Sequence, residues 1–152
     1  MADQNERLPG SVLFACSHNA LRSPMAAALM RSLHGRRVYV DSVGLRPEPL
    51  DPFAVAVLDE IGIDLSAHRP KGFDELEDDY FDLVISLSPE AHHRAVELTR
   101  TSASDIEFWP VMDPTLAEGH RDVRLDAYRS LRDHLLSRLR ARFPRARAPV
   151  MA

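Results

Sequence analysis

The chain has 152 residues, 45% hydrophobic and 28% charged, with 23 acidic against 19 basic residues and a formal net charge of −4. That length suits one domain with its own core, and the single cysteine excludes an internal disulfide framework and any multi-cysteine zinc site. No apolar run approaches the roughly 20 residues that cross a bilayer. The polar start Met1–Arg7 lacks the apolar core of an export signal. Together with the mild acidity, these features give a cytoplasmic location as the expectation, with no nucleic-acid and no membrane partner.

Residues 1–10 are expected to form a flexible tail. Val12 to Ala15 is an unbroken apolar run, the pattern of a strand buried on both faces. Pro24 stands where a first helical turn would begin, Met25 to Leu33 is helix-prone, and Gly35 follows as a stop. Val38 to Ser42 reads as a second strand from its β-branched and aromatic content. Asp51 and Pro52 form an N-cap and first-turn proline. Phe53, Ala54, Val57, Leu58 and Ile61 then recur at helical spacing up to Gly62. The acidic stretch from Phe73 to Asp79 reads as a solvated loop or short helix. Phe81 to Leu87 is a third strand, Ser88-Pro89 opens a helix ending near Thr99, and Ile106 to Trp109 is a fourth strand stopped by Pro110. After a loop of about a dozen residues, Leu125, Tyr128, Leu131, Leu135 and Leu139 mark one face of a last helix ended by Pro144.

His92 and His93 are adjacent and share no helix face, so they are read as solvent-facing, and no metal site or cofactor is expected. The basic run Arg138, Arg140, Arg142, Arg145 and Arg147 is read as a solvated helix end leading into a flexible tail over 144–152. The alternation of strands and helices predicts one α/β domain over 11–143. It is a three-layer sandwich whose four-stranded parallel sheet has helices on both faces. Right-handed crossovers put the loop after the first strand at the carboxyl edge, where such sheets bind ligands.

That loop is Cys16-Ser17-His18-Asn19-Ala20-Leu21-Arg22-Ser23, running into Pro24. A loop at a helix N-terminus offers inward N–H groups and the positive end of the helix dipole, which together make an anion cradle. The Arg22 guanidinium can hold two oxygens of a tetrahedral oxyanion at once. The same surroundings stabilise a thiolate, making Cys16 a nucleophile near neutral pH, with Ser23 placed to donate to its sulfur.

These residues, with Asp41-Ser42-Val43-Gly44, Gly62 to Arg69, Phe81 to Val84 and Asp113-Pro114, resemble the low-molecular-weight protein tyrosine phosphatase family over about residues 11–140. The fold is shared with arsenate reductases of the thioredoxin-linked type. The resemblance implies metal-free hydrolysis of a phosphate monoester in two in-line steps. Cys16 would attack phosphorus and Arg22 would hold the oxyanion. The amides of Ser17, His18, Asn19, Ala20, Leu21 and Ser23 would bind the phosphoryl oxygens. Asn19 would brace the loop against Ser42, and Asp113 would protonate the leaving oxygen.

Thr115-Leu116 follow Asp113-Pro114 where family members carry aromatic residues, and residues 45–51 contain none, so the substrate cleft is expected to lack an aromatic wall. His18 replaces a small loop residue and is expected to strain the backbone if its φ is positive. Leu21 stands where many relatives have a second cysteine, which argues against an internal thiol relay. Two other functions fit the cradle. One is arsenate reduction or transfer with an external low-molecular-weight thiol, and the other is non-catalytic sensing of phosphate or a phosphopeptide. The expected partner is thus a phosphate-containing substrate or a related oxyanion.

Overall fold

The computed structural model describes residues 8–78 and 80–144. The expected tails, apart from residues 8–10 and 144, lie outside them, as do Arg145 and Arg147 of the basic run and Asp79 of the acidic stretch. In chain order the elements are β1 (Ser11–Cys16), α1 (Arg22–His34), β2 (Tyr39–Gly44), α2 (Pro52–Asp59), β3 (Leu83–Ser86), α3 (Pro89–Leu98), β4 (Asp105–Phe108) and α4 (Arg121–Arg142). Short 3-10 turns lie at Phe73–Glu75 and Pro114–Leu116. All strand pairings are parallel, in the order β2-β1-β3-β4.

The central strands are unbroken apolar runs because each of their faces meets helices. Val12, Phe14 and Cys16 of β1 join Leu83 and Ile85 in the larger core beneath α1, α2 and α4. Leu13, Ala15 and Val84 turn the other way, toward Ala91 and Ala95 of α3 and toward Phe73 and Phe81. This period of two splits one apolar run between two cores. Each fully buried leucine, isoleucine or phenylalanine contributes about 1.5–3 kcal/mol. The α4 face read from the sequence is the buried one: Leu125, Tyr128, Leu131, Leu135 and Leu139 all lie in the larger core.

Several boundaries differ from the sequence reading. α1 begins at Arg22, two residues before Pro24, which places the arginine itself in the first helical turn. α2 stops at Asp59, and the chain turns through Gly62, whose φ of +80° favours glycine. β3 starts only at Leu83. Phe81 instead stacks on Tyr39, and Asp82 ties the start of β1, its carboxylate accepting from the Gly10 amide at 2.7 Å. His92 is not solvent-facing. It is half-buried, stacked on Phe108, with Nδ1 2.8 Å from the Ser86 hydroxyl. Two arginines of the basic run are structural: Arg138 lies over Trp109 and Arg142 pairs with Glu107.

In this strand order the connections leaving β1 and β3 run to opposite sides, which opens a crevice at the carboxyl end of β1. The Cys16–Ser23 loop lies there.

Candidate active site

The loop's carbonyls are all drawn outward. Cys16 O accepts from Leu45 N, Ser17 O from Arg46 N, His18 O from Glu48 N, Ala20 O from Asp51 N and Leu21 O from Met25 N. Asn19 O accepts from His68 Nε2 at 3.2 Å, which fixes the Nε2–H tautomer because a carbonyl can only accept. With the five carbonyls from Cys16 to Ala20 engaged from outside and Leu21 O taken up by the first hydrogen bond of α1, the peptide N–H groups are left for the concave side. Among the described residues the amides of Ser17, His18, Ala20 and Leu21 donate to no carbonyl. Leu21 is the N-cap of α1, and among the described residues no side chain caps its first turn, so the N–H groups of that turn are left without a side-chain acceptor.

Cys16 ends β1, buried to 2% exposure. Its Sγ lies 2.9 Å from Ser23 Oγ and accepts from Asn19 N at 3.2 Å. Asn19, wholly buried, organises the loop. Among the described residues it alone has a positive φ outside glycine, at 51°. Its amide nitrogen donates to Ser23 Oγ at 2.9 Å and Ser42 Oγ at 3.1 Å, and its Oδ1 accepts from Lys71 N at 2.9 Å. The strained position is therefore Asn19 and not His18. The His18 ring is partly exposed and faces Glu48 at 3.4 Å.

A cleft of about 560 Å³ opens over the loop, lined by Cys16, His18, Ala20, Leu21 and Arg22 on one side. Asp113 lies on the rim. Its Oδ1 accepts from Thr115 N at 3.0 Å and Thr115 Oγ1 at 2.6 Å, so the threonine that stands in an aromatic position holds the carboxylate in place. The expectation of a cleft without an aromatic wall is wrong. Phe53 at the start of α2 and Tyr128 of α4 line it together, their rings edge-to-face at 5.3 Å. The loops flanking the site lack aromatics, but two helices supply them. Tyr128 donates to Asp51 Oδ2 at 2.6 Å, and burial, followed by that carboxylate, pushes its hydroxyl well above the usual range.

The structure thus brings together Cys16, Arg22 and Asp113 around one cleft, with Ser17, Asn19, Ser23 and Ser42 behind the loop. The sequence reading missed Gly44, His68 and Lys71. A Cβ on Gly44 would lie 2.4 Å from Asn19 N, so only glycine lets β2 pass this close to the loop. Lys71 pairs with Asp41 through its amine while its backbone reaches Asn19 and Gly44. Gly44 and His68 stood in the Asp41-Ser42-Val43-Gly44 and Gly62 to Arg69 strings that carry the resemblance, but neither had an assigned role, and nothing marked Lys71.

The family model described as low molecular weight phosphotyrosine protein phosphatase matches residues 11–144. The chain is 36% identical over 76 residues to the glutaredoxin arsenate reductase of Synechocystis, a match covering 50% of this chain and 58% of that protein. It is 30% identical over 129 residues to the arsenate reductase of Halalkalibacterium halodurans, covering 85% of this chain and 91% of the relative. The low molecular weight protein tyrosine phosphatase of T. tengcongensis superposes with a TM-score of 0.71 at 27% identity, covering 86% and 95% of the two chains.

Proposed function

The chain belongs to the low molecular weight phosphotyrosine protein phosphatase family, and from that premise we propose that it hydrolyses phosphate monoesters through a phosphocysteine on Cys16. The observation that carries this reading is the Cys16 sulfur at the base of an N–H-lined loop, hydrogen-bonded to Ser23 at 2.9 Å. The thiolate attacks phosphorus while the ester oxygen departs with the proton of Asp113. The Arg22 guanidinium and the loop amides take up charge on the three equatorial oxygens. Water then attacks the phosphocysteine, its proton passes to the Asp113 carboxylate, and the Cys16 thiolate leaves, eased by the Ser23 hydroxyl.

A second reading is supported by the arsenate reductases among the relatives, since arsenate has the charge and shape of phosphate. With Cys16 as the sole cysteine, the two electrons for that reaction would come from an external low-molecular-weight thiol. The two readings separate on one preparation. p-Nitrophenyl phosphate turnover by the wild type in EDTA, abolished in Cys16→Ser, supports the hydrolase. Absence of that turnover, with thiol-dependent reduction of arsenate, overturns it in favour of the reductase. Asp113→Ala should slow poor leaving groups far more than good ones, and equal slowing would remove Asp113 as the acid.

A further inference from the structure

The phosphoryl chemistry leaves one wall of the cleft unused. Arg121 and Arg124 lie in the first turns of α4, where the helix N-terminus already carries partial positive charge and cations are disfavoured. Their guanidinium carbons lie 5.1 and 4.7 Å from the centroid of the Phe53 ring. Among the described residues neither forms an ion pair.

The carboxylates of the same cleft are already committed. Asp51 accepts from Phe53 N and from Tyr128, Asp113 accepts from Thr115, and Glu48 faces His18. These carboxylates keep their charge, but none is within ion-pair distance of Arg124, so among the described residues the guanidinium on this wall is a cation without a partner. Tyr128 holds Phe53 edge-on, and Phe53 in turn supports Arg124, which lines the cleft together with Cys16. An arginine resting on an aromatic face keeps its N–H edge free for a planar carboxylate.

We propose that the Phe53–Arg124 wall is a subsite for a carboxylate carried by the substrate beyond its phosphoryl group. The preferred substrates are then phosphate monoesters bearing a second anionic group. This inference rests on the phosphatase reading.

Two substrate pairs with identical leaving groups test it. One is N-acetyl-phosphotyrosine against its amide. The other is a phosphotyrosyl peptide with glutamate beside the phosphorylated residue, against the same peptide with glutamine. The wild type should favour the carboxylate member of at least one pair by roughly 5- to 10-fold in kcat/KM, less as ionic strength rises. The pair that responds identifies the source of the carboxylate. Arg124→Gln should bring that ratio close to 1, with Arg124→Lys between the two. Equal kcat/KM within both pairs, or a preference unaltered in Arg124→Gln, overturns the subsite. If p-nitrophenyl phosphate is not hydrolysed, the phosphatase reading fails separately. Titration of the same pairs into Cys16→Ser protein by calorimetry then decides the subsite, and equal affinities overturn it.

Discussion

Asn19 carries a φ of 51° and three side-chain hydrogen bonds, so a single residue fixes both the bend of the loop and its attachment to β2 and to Lys71. Replacing it with alanine removes the bonds and leaves a residue that resists this φ. Asn19→Ala should cost about 3 kcal/mol in chemical denaturation and weaken inhibition by inorganic phosphate. Gly44→Ala should be as damaging to binding for a different reason. Its Cβ would meet backbone atoms of His18 and Asn19 that cannot swing away, and roughly 100-fold weaker phosphate inhibition is expected. His68 adds a pH dependence. Burial, partly opposed by the Asn19 carbonyl, holds its pKa below the ordinary 6.5. The unfolded chain then takes the proton more readily, so the stability from neutral His68 is complete above that value. It is lost as pH falls from about 6.5 toward the folded value. Denaturant midpoints at pH 7.5 and 5.5 should differ in the wild type and differ less in His68→Gln. The Cys16–Ser23 grouping was legible because its members are neighbours in the chain. Gly44 and His68 were not, since their work is defined only by which backbone passes beside them.

Between elements, α2 and α4 are joined by a charged clamp at their solvent edge. Glu60, just past the end of α2, accepts from Arg129 at 2.7 and 3.0 Å and from Arg132 at 2.8 Å, and Arg132 also donates to Val57 O. The Arg129 hydrogen bonds, opposed by partial burial, pull the Glu60 carboxyl down to about 2. A lowered folded-state pKa stabilises the protein above the ordinary 4.5 and loses that contribution as pH falls through about 2. Glu60→Gln should therefore lower the thermal midpoint at pH 7, and the difference from wild type should close as pH approaches 2. The clamp bears on function because these two helices present Phe53, Arg124 and Tyr128 to the cleft. Helix and strand identities were readable from period and caps. Asp51 caps α2 by accepting from Phe53 N and Ser88 caps α3 by accepting from Ala91 N. The ends of β3 and α2 were not, because pairing registers and turns set them, and composition does not record these.

Across the whole molecule, α4 links the cleft to the far end of the larger core. Its N-terminal turns carry Arg124 and Tyr128. Beyond its last turn Phe143 is 1% exposed, and its carbonyl accepts from His34 Nε2 at 2.6 Å. Phe143→Ala should cost about 3–5 kcal/mol and lower the thermal midpoint by about 10 °C. About 28 Å of helix separates this end from Arg124, so p-nitrophenyl phosphate turnover per folded molecule should stay the same. The sequence by itself determined the element order, the parallel α/β sandwich and the cluster around Cys16. Periodicity, caps and short motifs are local in the chain, and a buried parallel strand leaves an apolar run that can be read directly. Only the tertiary structure decided what faces that cluster. Phe53, Arg124 and Tyr128 reach the cleft from two helices, and His68 and Lys71 reach the loop from behind. These contacts join residues dozens of positions apart, and they arise from how helices pack across a sheet, which no local pattern encodes.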